Sequence, residues 1–244
     1  MGTDTARPPA GPSQATIPAG AIPVLDHGFV RMVDAMADDL SVVNAARVSF
    51  AQESAAMDER EHGLIRFLMR ERHGTPFEHN AFRFHIKCPI FVCREWQRHR
   101  IGSFNEWSAR YSQLDAEFYV PAPEDVRTQV GKPGAYTFEP VDTELAEHTR
   151  EAQLAQYQAA YATYLDLLER GVAKEIARNV LPVAIYTQFY WTVNARSLMN
   201  FVSLRNSETA QREIRRYAGA VEHFFAEKMP VTHAAFVAND RRAP

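Results

Sequence analysis

The chain is poor in cysteine: Cys88 and Cys93 are the only two in 244 residues. A disulfide scaffold needs more, so the expected setting is a reducing one, the cytoplasm. No apolar run approaches the length of a membrane span, which argues against a membrane protein. The first residues, MGTDTARPPAGPSQATIPAGAIP, lack the apolar stretch of a secretion signal. A strong charge of either sign is also missing. A formal net charge of -3 argues against a nucleic-acid-binding surface while leaving room for a local basic pocket. There is no internal repeat. A metal centre finds little support, because His85, Cys88 and Cys93 follow no zinc spacing and leave a four-ligand set incomplete.

What is present is a length and an apolar content that suit a buried core. Proline, alanine and glycine dominate residues 1–20, which predicts a disordered tail. Helices are expected over 27–38 and 41–48. Asp58 opens a stronger one, carried by Leu64, Phe67 and Leu68 and ended by the run His73-Gly74-Thr75-Pro76. Phe82, Phe84, Ile86 and Cys88 alternate with Arg83, His85 and Lys87, the pattern of a half-buried strand. Pro89 stops it and leads into a short helix over 90–97. Prolines and glycines between 121 and 145 predict a surface loop.

Beyond that loop, Leu154, Tyr157, Tyr161, Tyr164 and Leu168 mark a long amphipathic helix with Gly171 placed to end it. Its tyrosines read more readily as packing than as a cofactor site. A helix near 172–179, an aromatic and β-branched strand over 186–193 and a helix near 195–204 follow. A last helix begins after Ser207 as N-cap, with Ile214, Tyr217, Val221 and Phe224 on its buried face. The mixed order of elements predicts an α+β domain, helices around a central, largely antiparallel sheet, in a single domain over 21–240.

The densest chemistry lies in RHRIGSFNEWSARY at 98–111. It is too polar for a core element and carries three arginines. A guanidinium grips phosphate through two parallel hydrogen bonds, and hydroxyls and an asparagine beside it suit an anionic, hydrogen-bonding ligand such as a nucleotide. An exposed basic turn making surface ion pairs would have the same composition. Histidines 73 and 79 admit a plain reading as local hydrogen-bonding partners at a helix stop, and Ser108 beside Arg110 identifies no nucleophile, because no base is recognisable from spacing.

The fixed positions of that cluster, Arg-His-Arg, Ser103, Asn105-Glu106, Ser108 and Arg110-Tyr111, resemble the signature of flavin-dependent thymidylate synthases. The similarity runs from about residue 24 to 236 and takes in AARVSF at 45–50, HGTPFEH at 73–79, ARNVLP at 177–182 and TVNARSLMNFVSLR at 192–205. The resemblance implies conversion of dUMP to dTMP with FAD as cofactor, NADPH as reductant and methylenetetrahydrofolate as carbon donor. It implies FAD contacts from Ser49, Thr75, Arg98, His99, Arg100, Glu106, Asn194, Arg196 and Asn200. It places dUMP against Arg98, Glu106, Trp107, Ser108, Ala109, Arg110, Arg178 and Arg205, with Arg205 activating the uracil ring. It also implies a homotetramer with active sites shared between chains. Some relatives carry glutamine in place of Glu95; a carboxylate cannot donate to an anionic ligand, so Glu95 is left outside the binding set.

The residues agree with such chemistry. Methylating uracil at C5 needs electrons in the ring. Cys88 and Cys93 lie in apolar surroundings that disfavour a thiolate, and a reduced flavin can do the work instead. Two other readings stay open at this level: a non-catalytic nucleotide- or RNA-binding module gripping bases with the arginine cluster, and a flavoprotein acting on another pyrimidine.

Overall fold

The computed structural model describes residues 17–244. Most of the tail expected over 1–20 lies outside the described residues; Ala19 and Gly20 form a turn, with Gly20 at φ 73°. The strands are β1 (Ala21–Val24), β2 (Gly28–Met36), β3 (Ala81–Pro89), β4 (Ser103–Glu106), β5 (Arg127–Lys132), β6 (Ala135–Pro140) and β7 (Tyr186–Asn194). The helices are α1 (Asp39–Arg47), α2 (Glu59–Arg70), α3 (Thr75–Glu78), α4 (Ile90–Trp96), α5 (Thr143–Glu169), α6 (Lys174–Ala177), α7 (Ala195–Arg205), α8 (Arg212–Lys228) and α9 (Pro230–Ala238). They gather into two compact units. One holds Gly20–Ser108 with Tyr186–Pro244, the other Ala109–Ile185. No helix among the described residues is long and apolar enough to cross a membrane.

The larger unit is built on a five-stranded sheet in the order β1-β2-β3-β7-β4, antiparallel at every pairing, as the α+β reading requires. β3 sits in its middle. Phe82, Phe84 and Ile86 fall on one face of the pleat and are fully buried. Across the ladder Phe84 faces Trp191 of β7, and Ile214, Tyr217, Val221 and Phe225 of α8 belong to the same core. Each such side chain contributes roughly 1.5–3 kcal/mol by leaving water. Trp96 at the end of α4 is fully buried and stacks on Phe201 of α7 with ring centroids 4.6 Å apart. That contact ties the segment that follows Trp96 to the helix that starts where β7 stops.

The structure corrects several expectations. Residues 28–36 are strand β2, not part of a helix. β2 starts with Gly28, Phe29 and Val30, all buried, and continues through the exposed apolar Val33 and Met36, so its apolar residues do not alternate as a strand's usually do. Residues 127–140, expected as loop, form the β5–β6 hairpin. Its proline and glycine are the turn, Pro133-Gly134 with Gly134 at φ 87°, the sign a type II turn needs at that place. The helix expected at 172–179 shrinks to α6 and a 3-10 turn over Arg178–Val180. Ser207 does not cap α8, which starts at Arg212 behind Gln211; the Ser207 hydroxyl pairs with Thr209 instead.

Other expectations match. Asp58 caps α2, its carboxylate accepting from the Arg60 and Glu61 amides. In the smaller unit α5 runs to Glu169 with Gly171 at φ 82° beyond it. The tyrosines of α5 pack: Tyr157 stacks on Phe118, and Tyr161 donates to the Leu114 carbonyl at 2.9 Å.

Candidate active site

Helix α7 divides its residues between two duties. Ala195, Leu198, Met199, Phe201 and Val202 are buried in the core, while Arg196, Asn200 and Leu204, at intervals of four, look into a cavity of about 800 Å³. The opposite contribution comes from the segment just after α4. Arg98, His99, Arg100 and Ile101 line the same cavity, as do Asn194 and Arg205. Six of the nine residues expected at the flavin, Arg98, His99, Arg100, Asn194, Arg196 and Asn200, are therefore brought together with the expected catalytic Arg205.

Each wall residue has a local account. Asn194 ends β7 and caps α7, its side-chain oxygen accepting from the Ser197 amide at 2.8 Å, so half of its amide is committed to structure. Arg196 pairs with Glu78 at 2.5 Å, and its Nε donates to the Pro244 carbonyl at 2.9 Å. Gly74 makes room for it: a β-carbon there would lie 2.7 Å from the Arg196 guanidinium carbon.

Arg205 is more enclosed. Its Nη1 donates to the Glu95 carboxylate, its Nη2 to the Glu95 backbone carbonyl, and its Nε to His99 Nε2. A guanidinium only donates, so His99 accepts and is neutral, with its proton on Nδ1. Burial, then the neighbouring charges of Arg205 and Arg98, hold the His99 pKa down at about 4. Arg72, Arg98 and Arg100 have no carboxylate partner among the described residues. The cavity thus presents guanidiniums whose charge nothing among the described residues neutralises, the chemistry of a site for a phosphorylated ligand.

Three expected cofactor residues are not among these walls. Ser49 is exposed on a 3-10 turn over Val48–Phe50, and Thr75 is exposed at the start of α3. Glu106 lies on edge strand β4, accepting from Thr187 at 2.8 Å and Gln97 at 3.1 Å. Trp107 and Ser108 follow it, and the Trp107 amide donates to the Gln188 carbonyl. Of the remaining expected substrate residues, Ala109, Arg110 and Arg178 belong to the smaller unit. There Ala109 is buried, Arg110 approaches Glu175 at 3.4 Å and Arg178 opens its 3-10 turn.

Sequence reasoning missed Glu78 and Glu95 as partners of the cavity arginines, and Arg72 as a wall residue. Leu204 was within reach, because it continues the four-residue spacing of Arg196 and Asn200. The thiols take no part in this constellation. Cys88 and Cys93 are buried, and burial, then the neighbouring Cys93, pushes the Cys88 thiol well above its usual range. Among the described residues no cluster of three histidine, cysteine or acidic side chains is arranged to hold a metal ion.

Residues 31–231 match a model of the thymidylate synthase complementing protein family. This chain belongs to that family. Its relatives in the family include the flavin-dependent thymidylate synthase of Thermotoga neapolitana, 50% identical over 217 residues, 88% of this chain and 94% of that protein. The flavin-dependent thymidylate synthase of Thermosipho africanus is 49% identical over 88% of this chain and 92% of its own length. Among solved structures, a UMP/dUMP methylase, PolB, from Streptomyces cacaoi, bound with 5-Br dUMP, superposes with a TM-score of 0.84 at 44% identity, over 91% of this chain and all of that one. The matched span contains every residue lining the cavity except Ala243 and Pro244.

Proposed function

We propose that this protein converts dUMP to dTMP, with FAD as redox cofactor, methylenetetrahydrofolate as carbon donor and NADPH as reductant. The observation that carries the reading is the convergence of Arg98–Arg100 with Asn194, Arg196, Asn200 and Arg205, from two distant stretches of chain, on one cavity. The donor set fits a flavin dinucleotide: unneutralised guanidiniums suit its phosphates, and Asn200 offers both a donor and an acceptor for polar ring edges. Ser49, Thr75 and Glu106 complete the proposed flavin contacts.

When bound, the reduced flavin supplies the electrons that turn the transferred carbon into a methyl group. The chain's own residues place and polarise the pyrimidine. Arg205, oriented by Glu95 and His99, directs its remaining N–H groups at the uracil edge and stabilises the anionic form that makes C5 nucleophilic. Arg98, Glu106, Trp107, Ser108, Ala109, Arg110 and Arg178 are the further proposed contacts to dUMP, in a cytoplasmic homotetramer whose sites are shared between chains. No thiol adduct is required, in keeping with the raised pKa of Cys88.

The test has two stages. Titration of the flavin-free protein with FAD is expected to quench flavin fluorescence to saturation. The loaded protein supplied with methylenetetrahydrofolate and NADPH is expected to form dTMP from dUMP. Absence of FAD binding overturns the reading. UMP belongs in the same assay, because the solved relative is named as a methylase of both UMP and dUMP. Light scattering showing a monomer that binds FAD and dUMP to completion rejects the shared-site tetramer.

A further inference from the structure

Arg72 stands between α2 and α3 with φ 60°, in the left-handed region that a residue with a β-carbon adopts only at a cost. The hydrogen bonds around it explain why the chain turns there. The Arg72 amide donates to the Met69 carbonyl at 3.2 Å and the His73 amide to the Leu68 carbonyl at 2.9 Å. Those two bonds are the Schellman ending of α2, and Arg72 occupies the place where glycine is the usual residue.

A side chain kept where glycine would be easier is ordinarily held by contacts. Arg72 is exposed, and its guanidinium has no hydrogen bond or ion pair among the described residues. It does line the cavity of Arg98, Arg100 and Arg205. Backbone strain that no hydrogen bond or ion pair of the side chain offsets, at the edge of a cationic cavity, points to a role toward a ligand.

We propose that Arg72 is a further anion-binding residue of this site, gripping a phosphate of the dinucleotide bound there. The inference rests on the reading of the cavity as a dinucleotide site. Two phosphates share the required chemistry, the diphosphate of FAD and the 2′-phosphate that distinguishes NADPH from NADH. A planar guanidinium at the end of a flexible stem matches either one through two parallel hydrogen bonds.

The variant Arg72→Gly removes the guanidinium and the strain together, so it does not endanger the fold. Its melting temperature in the flavin-free state is expected to be unchanged or higher by about 2–4 °C. Three probes are titrated or assayed against wild type and variant: FAD, riboflavin, and the NADPH to NADH ratio of KM. If Arg72 holds the flavin diphosphate, FAD binding weakens about tenfold and riboflavin binding, which involves no phosphate, does not change. If it holds the reductant, FAD binding is unchanged and KM rises about tenfold for NADPH but not for NADH. Arg72→Lys retains part of either effect. The proposal is overturned if neither selectivity moves, if riboflavin weakens as much as FAD, or if Arg72→Gly lowers the melting temperature, which would make Arg72 a structural residue. A wild-type protein that binds no FAD would instead sink the underlying reading of the cavity.

Discussion

Arg205 meets Glu95 twice, through the carboxylate and through the backbone carbonyl, both at 3.0 Å. With Nε given to His99, two of the five guanidinium N–H groups remain, one on each terminal nitrogen. The residue is thereby fixed in orientation before any ligand arrives. Glu95 was set aside in the sequence as an unsuitable ligand for an anion; it serves here as the anchor of a cation on the cavity wall.

Arg205→Ala is accordingly expected to lower kcat about a hundred- to a thousandfold while FAD stays bound, the usual effect of losing one oriented charge-stabilising donor. Arg205→Lys recovers little, because an ammonium cannot reach Glu95, His99 and the pyrimidine together. Glu95→Gln keeps an acceptor for Nη1 and is expected to retain more activity than Glu95→Ala. Steady-state kinetics with flavin occupancy measured in parallel decide it. If Arg205→Ala keeps near-normal turnover, the residue is only a helix-end cation.

His99 gives the protein a predictable acid response. Its folded pKa, about 4, lies below the ordinary value of 6.5, so the unfolded chain binds the proton first as pH falls. The stability this neutral histidine supports is complete above about pH 6.5 and declines as pH falls toward 4. Thermal melts of wild type and His99→Asn across that window test the sign. The variant is expected to show a shallower decline, and parallel curves would mean that His99 is not the group responsible.

Gly74→Ala separates packing from binding. Its φ of -75° suits alanine, so the backbone bears no strain, but the new methyl displaces the Arg196 guanidinium. Arg196 is half exposed and can swing aside cheaply. The melting temperature is expected to hold within about 2–4 °C, a shift worth roughly 1 kcal/mol in a chain of this size. FAD affinity is expected to fall about tenfold, the loss of one charge-assisted hydrogen bond. Unchanged FAD affinity would remove Arg196 from the flavin contacts.

Replacing Cys88 and Cys93 together by alanine is expected to leave dTMP formation per folded molecule largely intact. Both side chains are buried as small hydrophobes, and shrinking them costs about 1–3 kcal/mol of stability. A folded, flavin-loaded double variant without turnover would bring back a thiol mechanism.

What the sequence made legible was local. The alternation of Phe82, Phe84 and Ile86, the Asp58 cap and the glycine after α5 each write their structure into a few neighbouring residues. β2 was illegible for the opposite reason: Phe29 and Val30 are buried in succession while the apolar Val33 and Met36 are exposed, so no period distinguishes strand from helix. In the site, Arg98–Arg100 and the α7 residues were recognisable as polar clusters. The partners that fix them were not, because Glu95 and Arg205 stand 110 positions apart and Glu78 and Arg196 stand 118 apart. Such pairings are set by the β3–β7 register, where Ala81 faces Asn194, and no short-range pattern encodes them.

Strand β7 ends at Asn194 and α7 begins at Ala195 with no residue between, the Ala195 amide donating to the Asn80 carbonyl next to β3. A junction without slack tolerates no change in length. One residue inserted there would turn α7 by about 100°, carry Arg196 and Asn200 off the cavity wall and drive Leu198 out of the core at the same stroke. The two-residue turn of the β5–β6 hairpin, exposed on both strands, carries no such constraint. Natural variants of this chain are therefore expected to differ in length around 133–134 and to keep a fixed count from β7 through Arg205.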